Sequence, residues 1–347
     1  MEKKFGELGS TVADEMLCAF ANYNIQISMG LEHNHRRNIM FYWKFGWYKS
    51  TLLNNFYSLL RPERAKHLGT VTKAALCGSI YVNDKGKAEF IPPEVLQYPF
   101  FFVTEFGAID KDLTQILLNL LEEGTTGVSL LKTAALSEEQ RQEASRDWGI
   151  VWKGRLGFEY SCKPVFFCST YDTEFLKDGA FASRFNLVYP TSELDGTALM
   201  HIDRAPDVFL NEPRLRTAID YHIFSTRTNI DTYKIALPDS VFHNFAGING
   251  RVTYSLKCFI AARLWWGISV TENEVVKRCE HIMFVTNGMF MSRQERIIDL
   301  ISRSGPQSAM DVSRKLDIAQ STAYYVLSKM KQLQRRTVSG KKMYTTR

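Results

Sequence analysis

Three short apolar runs, beginning at Asn38, Phe100 and Pro164, constrain this chain more than any other feature. Each is strand-length and unbroken, and each gives way to polar residues at its end. Phe100-Phe101-Phe102-Val103 leads into Thr104-Glu105, and Pro164-Val165-Phe166-Phe167-Cys168 into Ser169-Thr170. A strand that is apolar at every position is buried on both faces, which belongs to a parallel sheet covered by helices, and so to an α/β fold. The composition agrees: 45% hydrophobic and 23% charged residues exclude a disordered chain, a collagen-like repeat or a coiled-coil rod. At 347 residues the chain is expected to hold about two domains.

The first run carries chemistry. From Asn38 the chain reads NIMFYWKFGWYKSTLLNNF: an apolar strand, a loop, then Lys49-Ser50-Thr51 at the start of a helix. Strand, loop, Lys-Ser and helix is the order of a P-loop, whose lysine reaches phosphates and whose hydroxyl binds magnesium. Trp43 and Tyr48 stand where glycines are usual, with Gly46 between them, so a core strand followed by a lysine is the competing reading. Glu105, one residue beyond four apolar residues, is expected to be a carboxylate with a task, such as orienting water at a phosphate.

Charge is uneven along the chain. The formal net charge is +6, yet Met291 to Arg347 alone holds twelve Lys or Arg against four Asp or Glu. That stretch has apolar Ile297, Ile298 and Ile301 on one helical face and a stop at Gly305-Pro306. Ser308 and Ser321 are expected to cap two further helices, the last with Tyr324, Leu327 (or Val326) and Met330 or Leu333 at the 3/4 spacing of an inward face. A basic hairpin follows through Arg336, Ser339-Gly340 and Met343. The order resembles a winged helix-turn-helix, with Gln320, Thr322, Tyr325 and Lys329 free to enter a DNA groove and Arg335, Arg336, Lys341 and Lys342 free to hold phosphate. Docking on a protein is the alternative use of such a unit.

The large domain resembles the AAA+ ATPases, and among them the minichromosome maintenance (MCM) helicases. The similarity runs through NIMFYWKFGWYKSTLL, LGTVTKAALCGSIYVNDKGKAEFIPPEVLQYPFFFVTEFGAID, LLEEGTTGVSL and ASRFNLVY, and returns in RVTYSLKCFIAARLWWGISVTENEVV. The resemblance implies an AAA+ P-loop core at 38–200, a helical lid at 201–290 and a winged-helix domain at 291–347; ahead of them a helical extension is expected at 1–37. It implies ATP and Mg²⁺ as cofactors, with Gly46, Trp47, Tyr48, Lys49, Ser50 and Thr51 around the phosphates. Ser50 and Glu105 would act at the metal, Thr170 as sensor 1, Arg184 as an arginine finger and Arg251 as sensor 2. A finger acts on a neighbour's nucleotide, so the resemblance also implies a homo-oligomeric ring, as a hexamer. Lys85 and Lys87 in one inserted hairpin, and Lys153 and Arg155 in another, correspond to pore residues that grip DNA.

Several residues depart from that family. Thr104 replaces the Asp before the catalytic Glu, and Tyr48 and Trp43 crowd the loop. Two outcomes stay open: a working ATPase that moves, melts or remodels DNA in replication together with other replication proteins, or an AAA+ scaffold, initiator or transcription regulator acting through its winged helix. The six cysteines form no CxxC pair, and the N-terminus lacks a secretory apolar stretch, so a reducing cytoplasmic setting without membrane contact is expected. Glu32, His33 and His35 have no cysteine pair to complete a metal site.

Overall fold

The computed structural model describes residues 2–29, 38–42, 48–84, 87–107, 111–122, 124–170, 184–188, 213–226, 230–245, 248, 250–290, 297–298, 300–302, 305–316, 319–330, 333–338 and 341–346. The chain forms two compact units that meet within a helix, between Met283 and Phe284 rather than at residue 291.

The first unit is built on five parallel strands: β1 (Ile39–Tyr42), β2 (Ala65–Leu68), β5 (Phe100–Val103), β9 (Val165–Thr170) and β10 (Asn186–Val188). Their order across the sheet is β10-β1-β9-β5-β2. All three apolar runs are therefore sheet strands, and every residue of β5 and β9 is buried. Alternation sends Phe100, Phe102 and Phe167 into the main core, while Phe101 stacks on Phe166 at 5.3 Å on the other face.

Helix α1 (Glu2–Met29) belongs to that core and is no peripheral extension. Its Phe20 meets Phe100 and Phe167 edge-on at 5.3 and 5.4 Å. Its Leu17 carbonyl accepts from the Trp266 indole N–H at 2.9 Å, just beyond the helix Gly250–Trp265. Glu15, 2% exposed, pairs with Arg278 of the following helix, Glu272–Phe290. Burial pulls the Arg278 guanidinium down to about 10.

Two insertions leave the sheet. Strands β3 (Ser79–Val82) and β4 (Ala88–Ile91) form a hairpin, and β6 (Thr125–Ser129), β7 (Val151–Lys153) and β8 (Gly157–Ser161) form an antiparallel sheet ordered β6-β8-β7. They join through Phe90, whose ring lies 5.6 Å from both Trp152 and Phe158. The helix Glu138–Trp148, capped reciprocally by Ser137 and Gln140, covers them, and the Gln140 amide also donates to the Ala88 carbonyl. After β10 the described residues contain helices and no further strand up to residue 290.

The second unit holds helical residues 297–298 and 300–302, β11 (Gln307–Ser308), the helices Ala309–Leu316 and Gln320–Lys329, and the strands β12 (Leu333–Val338) and β13 (Lys341–Thr346). The strands are antiparallel in the order β11-β13-β12. Ile297, Ile301, Val312, Ala323, Leu327, Met330 and Tyr344 form its core.

Two local expectations fail here. Tyr324 is 46% exposed and Ala323 occupies the inward position, because Ala323, Leu327 and Met330 satisfy the same 3/4 spacing with smaller groups. Ser321 lies inside the helix, since the Ala323 N–H already donates to the Ala319 carbonyl at 2.9 Å. Ser308 does cap: its hydroxyl accepts from the Asp311 N–H at 3.2 Å, and its own N–H donates to the Asp311 carboxylate at 3.0 Å. The Ser308 hydroxyl also donates to that carboxylate at 2.6 Å, and this bond, with the one from the Ser308 N–H, holds the Asp311 carboxyl below its usual range. Asp311→Ala is expected to cost this unit about 1 kcal/mol in urea denaturation. The contribution of the Asp311 carboxylate is present at neutral pH and fades as acid protonates it, since its folded pKa is the lower one.

Candidate functional site

Strands β1 and β9 are neighbours, but the chain leaves them in opposite directions. From β1 it reaches β2 at one edge of the sheet; from β9 it reaches β10 at the other. In an open parallel sheet, the carboxyl ends of two such strands frame a crevice where ligands bind. Lys49, Thr170 and Glu105 all follow or end strands at this edge.

Lys49 begins the helix Lys49–Tyr57, is 9% exposed, and is pushed by burial down to about 8. A buried lysine at a helix start, beside the amide N–H groups of the first turn, is suited to an anion. Tyr48 before it has φ 57° and ψ 21° and is the one non-glycine with positive φ among the described residues. That left-handed conformation costs about 1–2 kcal/mol with a Cβ present, and explains why a glycine would suit the position. The ring does not simply obstruct the crevice, because it packs against the main core. Ser50 is exposed and Thr51 half-buried on the same helical turn. Gly46 and Trp47 lie outside the described residues.

Glu105 corrects the reasoning that singled it out. It is exposed rather than buried, because the strand ends at Val103, so desolvation does not require a partner for it. The backbone is nevertheless stitched on both sides. The Thr104 and Glu105 amides donate to Leu68 and Gly69 carbonyls at 3.1 and 2.8 Å, and the Phe106 amide donates to Ser169 at 2.8 Å. The Ser169 hydroxyl donates to the Thr104 carbonyl at 2.5 Å. Glu105 is thus fixed beside the end of β9, where Thr170 is 2% exposed and pairs in register with Tyr42. One strand separates β1 from β5, so their ends are about 10 Å apart, room for a phosphate group and a water.

The arginines are placed differently. Arg184 forms an ion pair with Glu122 of its own chain, its side chain 15% exposed. Arg251 is exposed in the first turn of the helix Gly250–Trp265. Among the hairpin cations, Lys87 and Arg155 are exposed, whereas Lys153 Nζ lies 2.9 Å from Glu159 Oε2; Lys85 lies outside the described residues.

In the second unit Gln320, Tyr325 and Lys329 are exposed and Thr322 half-buried on one helix. Lys329 Nζ sits 5.8 Å from the Tyr325 ring and Lys342 Nζ 5.9 Å from the Tyr324 ring. Arg335, Arg336 and Lys342 are exposed on the hairpin, and Lys341 pairs with Val338 in its ladder. The exposed Tyr324 is the residue that sequence periodicity missed, having assigned it inward.

All six cysteines are free thiols, no cluster of His, Cys, Asp and Glu among the described residues could hold a metal, and no described helix is long and apolar enough to cross a membrane. No protein-family model and no curated protein matches the chain. Among solved structures, a protein of Cytophaga hutchinsonii described as a "putative ATPase" aligns over 89% of this chain and 89% of its own, at 10% identity and a TM-score of 0.46. That likeness is too distant to carry an activity, and the site rests on its own geometry.

Proposed function

We propose that the chain is a nucleotide-binding ATPase of the AAA+ type, MCM-like in organisation, that couples ATP to movement or remodelling of DNA held by its C-terminal unit. The observation that carries the reading is the buried Lys49 at the head of its helix, at the crevice where β1 and β9 diverge. Lys49 and the first-turn amides would hold the β- and γ-phosphates, and the Ser50 hydroxyl would hold Mg²⁺. Bound there, the metal supplies charge neutralisation to the phosphates. Glu105 would accept a hydrogen bond from the attacking water, and Thr170 would orient the same region.

Support for DNA binding comes from the second unit's basic hairpin and its lysine-flanked tyrosines, since Lys and Arg meet phosphates while rings stack on bases. Replacing Arg335 and Arg336 with Ala is expected to lower the slope of log affinity against log salt by about 2, read by fluorescence anisotropy. An unchanged slope removes the hairpin from the interface.

A ring with Arg184 acting in trans belongs to this reading. It requires the arginine to leave Glu122, so Glu122→Gln is expected to raise turnover in the assembled state. The second reading, a scaffold without turnover, is favoured by the strained Tyr48 and by Thr104 in place of an acid. ATP hydrolysis with and without single- and double-stranded DNA separates the two. A working site shows turnover that Glu105→Gln lowers about 10²–10⁴-fold while ATP still binds. DNA binding without turnover in the unaltered protein decides for the scaffold.

A further inference from the structure

At the opposite edge of the sheet from Lys49 lies a cavity of about 640 Å³ between the segment leading into β2 and the helix Pro213–Ser225. Its position follows from a single bond: the Phe100 amide, at the start of β5, donates to the Arg64 carbonyl just before β2. These are amino ends of parallel strands, whereas Glu105 follows the carboxyl end of β5. Four strand residues separate the two edges by about 13 Å.

Three arginines line the cavity, Arg61, Arg64 and Arg214, against one carboxylate, Asp220. Arg61 Nε lies 3.1 Å from Asp220 Oδ2, which neutralises one of the three. Arg64 is held otherwise: its guanidinium sits 4.2 Å over the Phe224 ring, a contact that orients the cation without supplying a counter-charge. Arg64 and Arg214 have no carboxylate partner among the described residues, and both are exposed. Two unmatched guanidiniums, one on each side of the cavity, suit a phosphate or carboxylate between them.

Asp220 adds a second requirement. The residue is 4% exposed, and its Oδ1 has no hydrogen-bond partner among the described residues. A buried carboxylate oxygen without a donor costs stability, so an occupant with an N–H or O–H at that point is favoured. Tyr221, 69% exposed on the same wall, offers a free ring face.

We infer that this cavity is a second ligand site, separate from the Lys49 crevice, for a nucleotide: phosphate on Arg64 and Arg214, a hydroxyl or amino donor on Asp220 Oδ1, and the base over Tyr221. The volume lies within the range of small-ligand pockets. An acidic side chain alone leaves the ring and Asp220 unused, and a bare phosphate leaves both as well.

The test uses AMP as probe in isothermal titration calorimetry on the full chain. AMP is expected to bind the Lys49→Ala protein as tightly as the unaltered one, because that change removes only the other site. Arg64→Ala with Arg214→Ala, both exposed and so tolerated by the fold, is expected to weaken AMP about tenfold or more. Tyr221→Ala provides an independent variant and is expected to weaken AMP while leaving inorganic phosphate binding unchanged. Thermal melts establish that each variant is folded. Loss of AMP binding with Lys49→Ala alone, full retention in the arginine variant, inorganic phosphate binding as tightly as AMP, or no heat from AMP at millimolar concentration would each overturn the assignment.

Discussion

Alanine at Lys49 is expected to abolish ATP turnover, a loss of about 10²–10³-fold in phosphate release, while DNA binding through the second unit stays intact. The magnitude follows from removing the charge placed where β1 and β9 diverge, in a position 9% exposed where water screens little. The same burial gives a pH signature. Lys49 is pushed down to about 8 in the folded chain, against an ordinary lysine near 10.4 when unfolded. Between those values the unfolded chain binds more protons, so deprotonating Lys49 contributes stability as pH rises. Phosphate binding goes the other way, because it needs the cation: affinity for ATP is expected to fall about tenfold per pH unit above 8. An affinity that stays flat to pH 9.5, or turnover that survives Lys49→Ala, places the phosphates elsewhere.

Truncating Phe20 to Ala is expected to destabilise the first unit by about 3–5 kcal/mol in guanidinium denaturation. Phe20 is wholly buried and touches the rings of Phe100 and Phe167, one on each of two central strands. A peripheral helix would lose far less, so a cost below about 1 kcal/mol would return α1 to the status of an appendage.

The central strands were legible in the sequence because β5 and β9 are buried on both faces and leave continuous apolar runs. The Ser308 cap and the two hairpins were legible for a similar reason: their determinants lie within a few residues of one another. Helix α1 was not. Its inward face carries Glu15, Asn22 and Asn24 as well as Val12, Met16 and Phe20, which breaks the apolar periodicity. The partners that satisfy those polar groups are far along the chain: Arg278 for Glu15, and the Ile223 and Thr226 carbonyls for Asn24 at 2.7 and 2.8 Å. No local pattern announces such pairs. At the candidate site, Lys49 could be read from strand, loop and helix order. Its partnership with the end of β9 depends on strand order, and the Arg184 to Glu122 pair on two segments distant in sequence. The arginine cavity had no sequence signal, since Arg61 and Arg64 enter it from the segment before β2 and Arg214 from a helix far along the chain.

The placement of α1 also bears on how the chain is made. The helix leaves the ribosome ahead of the rest of its unit, and the Trp266 indole that bonds its Leu17 carbonyl is synthesised 249 residues later. At about 5–20 residues per second, that leaves an apolar helix face uncovered for roughly 10–50 s. The first unit therefore completes its fold only after its last helices are made, with a nascent surface that invites chaperone binding. Contacts this distant in sequence also set a slow refolding rate.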